Sequence, residues 1–158
     1  EKILAVLAVD VSLMWPEELR PLSQVELLEL GADGFVEIGG HTHWHPILSN
    51  CTEEEAHEEI VGGAQQLAHL LGRAPRFFAY PNGGVSDFDT RLCSPWLREA
   101  GYEAAFSMIH GRTGADSNRW ALPRYGAPET VRGAAATVSG ALEVLEPWRQ
   151  HFKRRAAL

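Results

Sequence analysis

Cysteine is scarce in this chain. There are two among 158 residues, Cys51 and Cys93, and neither belongs to a Cys-x-x-Cys pair, so a thiolate zinc site is not signalled. Whether the two join in a disulfide is not decided by sequence; we read them as free, buried or neutral thiols. No apolar run is long enough to span a bilayer, and no signal peptide is visible. Positive charge is in deficit: 14 Lys and Arg stand against 21 Asp and Glu, a net charge of −7. A general nucleic-acid binder is therefore excluded, and the basic end "KRRAAL" reads as a solvated terminus. Internal repeats and low-complexity segments are absent. A starting methionine is also missing, since Glu1 runs straight into a strand-like stretch.

What is present is ordinary for a globular protein. Apolar residues make up 45% and charged residues 22%, and this length suits a single domain, 1–158, with a real core. "ILAVLAV" (3–9) is a continuous apolar run ending at Asp10 and reads as a buried strand. "LSQVELLELGADG" follows as a helix, with Ser23 and Glu26 spaced as a capping box and Gly34 as its stop. "FVEI" (35–38) reads as a short strand. Residues 53–71 form the clearest helix, capped by Thr52 with Glu55. Its apolar face is Ala56, Ile60, Ala64, Leu67 and Leu71, and Gly72 ends it. "RFFAY" (76–80), "EAAFSM" (103–108) and "RWAL" (119–122) read as further strands, with a helix over Pro95–Ala100 between the first two. Residues 127–158 form a C-terminal helical tail interrupted by glycines. Strands alternating with helices imply an α/β protein with parallel strands. At five strands the chain falls short of a full (β/α)8 barrel.

The chemistry concentrates in "GGHTHWHP" (39–46), which carries three of the seven histidines. The segment follows a strand, and the carboxyl ends of parallel strands are where such folds place their active sites. His41 with His43, or His43 with His45, converge only if the backbone stays extended. His41 with His45 converge if it turns, because residues four apart then share a face. A catalytic zinc site takes three protein ligands and one open position, so a third ligand has to come from elsewhere. Surface histidines without a ligand are the plain alternative.

Two known patterns are similar to this segment. The His-x-His of amidohydrolases is one, but that family needs histidines after later strands, and His57 and His69 lie in the capped helix. The other is the polysaccharide deacetylase family, also called the NodB-homology domain or carbohydrate esterase family four, with its motif His-[Ser/Thr]-x-x-His. "EIGGHTHWHPILS" (37–49) resembles that motif in context. "WPEELRPLSQVELLEL", "EEEAHEEIVGGAQQLAHLLGR", "FFAYPNGG", "LREAGYEAAFS" and "RWALPR" follow the family's order. The resemblance covers about residues 3 to 126. It implies a distorted or incomplete (β/α)7 barrel, and a metal-dependent hydrolase that removes acetyl groups from N-acetylated sugars of a glycan.

The resemblance also implies roles. His41 and His45 would hold a divalent metal, for which Zn2+ is the expected ion. Thr42 would brace the loop, and Trp44 would offer a flat face to a sugar ring. "AYPNG" (79–83) takes the place of the family's Arg-Pro-Pro-Tyr-Gly. Ala79 replaces the arginine, Asn82 sits at the tyrosine position, and Tyr80 and Asn82 are expected at the oxyanion or substrate. Arg124 would supply the missing orienting charge. The family's Asp-Asp pair, its general base and third ligand, has no match. Asp10 is a weak substitute, and the pair is expected upstream of residue 1. His110 is the nearest candidate for the general acid. An extracytoplasmic or cell-envelope location goes with the resemblance. A non-catalytic glycan- or metal-binding remnant of the same fold is the alternative.

Overall fold

The computed structural model describes residues 20–32 and 34–141. The expected strand over 3–9, Asp10 and residues 142–158 of the expected tail lie outside them. The chain divides into two compact units, Glu1–Glu37 and Ile38–Leu158.

In the first unit, helix α1 (Gln24–Ala32) starts where the spacing predicts. Ser23 Oγ accepts from the Glu26 N–H at 3.3 Å, and the Glu26 carboxylate accepts from the Ser23 N–H at 2.8 Å. Each side chain thus satisfies an orphan donor of the first turn. Arg20 grips the same carboxylate through both guanidinium nitrogens. These bonds, Arg20's first, hold the Glu26 carboxyl well below the usual carboxylate range. Gly34, at φ 82, turns the chain after the helix.

The second unit is built on parallel strands. β1 (Phe77–Ala79) and β2 (Ala104–Phe106) pair in the register Phe77↔Ala104, Phe78↔Ala105 and Ala79↔Phe106. Single parallel bridges extend the ladder on both sides, Gly40↔Phe78 and Phe106↔Leu122. Four consecutive parallel segments therefore lie in chain order. Two expected strands shrink to these bridges. "RWAL" contributes only Leu122. "FVEI" forms no strand at all; Phe35 is 95% exposed, and pairing begins two residues past Ile38, at Gly40. A four-residue apolar pattern does not make a strand without a neighbour to pair with.

The segment between Gly40 and β1 is helical. Thr52 caps α2 (Glu53–His57) in a reciprocal box with Glu55. A wider π turn (Glu58–Gly62) interrupts the helix before α3 (Gly63–Leu71) resumes it. Gly72 ends it at φ 70, a left-handed conformation that glycine adopts freely. Of the expected apolar face, Ala56, Ile60 and Ala64 are buried and Leu67 and Leu71 half-buried.

Helix α4 (Thr90–Glu99) links β1 to β2 and begins five residues before Pro95. The Asp89 side chain accepts from the Arg91 N–H at 2.8 Å and sets that start. Pro95 is tolerated inside the helix although it has no N–H to give the preceding turn. The tail yields α5 (Val131–Ser139), capped by Thr130 and stopped by Gly140 at φ 76.

The core joins Ile60 and Val61 of the π turn, Phe78 and Tyr80, Cys93 and Leu97 of α4, and Tyr102, Ala105 and Trp120. Fully burying a side chain such as Ile60 or Leu97 contributes about 1.5–3 kcal/mol. Cys93 is buried and Cys51 half-buried, and both are free thiols.

Candidate metal-binding site

Parallel pairing ends at Gly40, and the histidine loop begins with the next residue. Thr42 at φ 63 and His45 at φ 59 both enter the left-handed region, which non-glycine residues seldom occupy. Two side chains hold them there. Thr42 Oγ1 donates to the His41 carbonyl and accepts from the His45 N–H at 3.0 Å, bridging the two ends of the turn. Glu59, from the π turn, accepts the N–H groups of His43 and Trp44 on one carboxylate oxygen, both at 2.8 Å.

The turn decides which histidines meet. The His41 and His45 rings lie with centroids 4.7 Å apart at 76°. The His43 ring instead meets the edge of Trp44 at 4.6 Å. His41 Nδ1 lies 2.7 Å from the Ala79 carbonyl at the end of β1. A carbonyl only accepts, so Nδ1 carries a proton, and in the neutral tautomer Nε2 then keeps a free lone pair. That is the orientation a metal-ligating histidine takes when a carbonyl holds its other nitrogen. The two imidazoles are residues that could take two positions of a divalent-metal site. Among the described residues no group of three His, Cys, Asp or Glu gathers to complete one. Trp44 stands 80% exposed beside the pair. An open cleft of about 730 Å³ runs from His41 and His43 along Gln66 and His69 of α3 to Tyr102.

The neighbouring turn follows β1. Pro81 is buried, and Asn82 at φ 55 and Gly83 at φ 71 reverse the chain. The Gly83 carbonyl accepts from the Met108 N–H at 2.8 Å, which ties the turn to the end of β2. The Asn82 N–H makes no hydrogen bond among the described residues. Tyr80, expected to face substrate, is 1% exposed. It stacks on Phe88 at 3.7 Å and 8°, and its hydroxyl donates to the Trp120 carbonyl at 2.8 Å. Burial pushes the phenol far above its ordinary range. Tyr80 is thus a core residue, and the Asn82 N–H is the donor this turn presents.

The remaining candidates lie further along the strand ends. The Arg124 N–H donates to the Ile109 carbonyl at 3.1 Å, and its Nε is buried without a hydrogen-bond partner. His110 is exposed and meets the edge of Tyr125 at 6.0 Å. His57 pairs with Glu99 at 3.1 Å, away from the loop. Glu59 was the residue that sequence reading passed over, since nothing local distinguishes it from Glu58 before it.

A family model described as polysaccharide deacetylase matches residues 21–105, more than half of the chain. The chain belongs to the polysaccharide deacetylase family. Solved structures with the same fold agree. The deacetylase PplD of Streptococcus pyogenes, solved in complex with acetate, aligns at a TM-score of 0.66 and 17% identity, over 77% of this chain and 52% of that one. A polysaccharide deacetylase from Bacillus cereus aligns at 0.61 and 24%, over 74% of this chain and 36% of that one. IcaB from Ammonifex degensii aligns at 0.58 and 25%, over 77% and 55%. The chain thus spans between 36% and 55% of the length of these structures. No curated protein matches it. Among the described residues no helix is long and apolar enough to cross a membrane.

Proposed function

We propose that this chain carries part of a metal-dependent N-deacetylase site acting on an N-acetylated glycan, on an incomplete (β/α)7 barrel. One observation carries the reading. His41 and His45 converge at a parallel strand end, with His41 Nδ1 fixed on the Ala79 carbonyl, in a chain of the polysaccharide deacetylase family.

His41 and His45 are the residues that would hold the cation, with Zn2+ the ion best matched to imidazole ligands. Such a cation supplies Lewis-acid chemistry, activating water and polarising the acetyl carbonyl. The chain's own groups do the rest of what can be assigned. Thr42 keeps the loop turned so that the two imidazoles lie together. The Asn82 N–H is free to donate to the oxygen on which negative charge develops as the amide is attacked. Trp44 offers an exposed aromatic face to a sugar ring. Arg124 brings a positive charge to the same end of the strands, with a buried Nε that has no hydrogen-bond partner. A general base and a general acid are not assigned to any described residue. The amidohydrolase reading is the weaker one, because the family model that matches the chain is the polysaccharide deacetylase one. A glycan-binding module without turnover is the second reading, favoured by the missing third ligand among the described residues.

The test is bound metal per chain by elemental analysis, in the unaltered protein and in His41→Ala, His45→Ala and His43→Ala. About one zinc-like ion is expected, lost from the first two variants and kept in the third. Metal that survives both His41→Ala and His45→Ala would overturn the ligand assignment. Acetate release from N-acetylated oligosaccharides then separates the enzyme from the binding module.

A further inference from the structure

We infer that Glu59 is the positioning residue of the His41–His45 pair, acting through the peptide N–H groups of His43 and Trp44. The inference rests on the metal reading for its purpose, but its geometry stands alone.

A carboxylate oxygen that takes two successive backbone N–H groups, each at 2.8 Å, makes two charge-assisted bonds to one short stretch of chain. That stretch lies between the two left-handed residues, Thr42 and His45. Such conformations persist only where the surroundings over-determine them. Thr42 ties the ends of the turn, and Glu59 ties its middle.

The helix is shaped to deliver that carboxylate. The wide turn over Glu58–Gly62 contains Glu59, and π turns recur at functional sites. The residue just after it, Gly63, lets the loop lie against the helix. A Cβ there would come within 3.3 Å of the His43 nitrogen and 3.4 Å of the Thr42 carbonyl carbon. The carboxylate meets His43 and Trp44 and the glycine meets Thr42 and His43, so the two converge on His43. Glu59 touches no candidate ligand ring among the described contacts, so it acts on the pair only through the backbone.

The experiment compares Glu59→Ala and Glu59→Gln with the unaltered protein by NMR and by Zn2+ titration. The cross-peak between the His41 and His45 rings reports their convergence. Amide exchange at His43 and Trp44 reports the clamp. Phe78–Tyr80 and Tyr80–Phe88 ring contacts report the core. In Glu59→Ala the histidine cross-peak is lost and exchange at both amides quickens, with the core contacts intact. Zn2+ affinity falls about 10- to 100-fold. Glu59→Gln keeps an oxygen acceptor without the charge, so it retains the cross-peak and most of the affinity, with exchange about tenfold faster. A cross-peak that persists in Glu59→Ala overturns the inference. If Glu59→Ala loses its core contacts, Glu59→Gln decides: unchanged exchange at both amides overturns the inference, and faster exchange with an intact core supports it. If the unaltered protein binds no Zn2+, the metal reading fails, and the cross-peak and exchange still decide the role of Glu59.

Discussion

The loop at 41–45 and the turn at 80–83 leave neighbouring parallel segments, and each holds non-glycine backbone in the left-handed region. They are secured in opposite ways. The turn at 80–83 is anchored by burial: Tyr80 and Pro81 are in the core, and Gly83 fits against the Met108 backbone. The loop at 41–45 is exposed, and its shape rests on hydrogen bonds from Thr42 and Glu59. A residue change in the turn therefore registers as lost stability. A change in the loop registers as lost geometry, with the fold left standing.

The largest effect expected is in the turn. Tyr80→Ala removes a stacked, buried ring and should cost about 3–5 kcal/mol, read as a lowered urea midpoint. A midpoint equal to that of the unaltered protein would mean the ring is not core. Gly83→Ala comes next. Its Cβ would sit 2.8 Å from the Met108 nitrogen at φ 71, a clash with backbone on top of conformational strain. About 2–3 kcal/mol is expected, and a loss under half a unit of kcal/mol would show that the turn relaxes freely. Smallest in stability is Thr42→Ala, which removes two exposed hydrogen bonds and should cost about 1 kcal/mol or less. Its metal affinity should nonetheless fall about tenfold, and Thr42→Ser should restore it. If Thr42→Ala lowers stability more than Gly83→Ala, the contrast between the two loops is wrong.

The local parts of this structure were legible in the sequence. Both capping boxes and the stop at Gly72 involve groups three or four residues apart, so spacing alone defines them. The start of α4 was legible too, in Asp89, but Pro95 drew attention to the wrong turn. Tyr80 carried its own signal. It lies two residues from Phe78 along one extended segment, and such residues share a face, so a buried Phe78 implied a buried Tyr80. The choice among three histidine pairs was legible only through the resemblance to His-[Ser/Thr]-x-x-His, and its physical cause was not legible. It depends on positive φ at a threonine and a histidine, types that seldom adopt it, and on Glu59, whose contacts reach 15 and 16 residues back along the chain. The shortened outer strands were hidden for a related reason. Strand extent is set by the neighbours available to pair, which composition does not record.

The π turn has a consequence for chain length. An α-helix advances by about 100° per residue, and the wide turn, with its i→i+5 bonding, takes up one extra residue between α2 and α3 with little added rotation. Deleting one of the five residues Glu58–Gly62 would let the helix close to uniform pitch nearly in phase, whereas closing it with all five kept would turn every later side chain through about that angle relative to Thr52. Ala64 would leave the core face, and the glycine behind the histidine loop would no longer sit behind it. In this segment the phase of the helix, as much as the identity of its residues, keeps the glycine and the carboxylate behind the histidine loop.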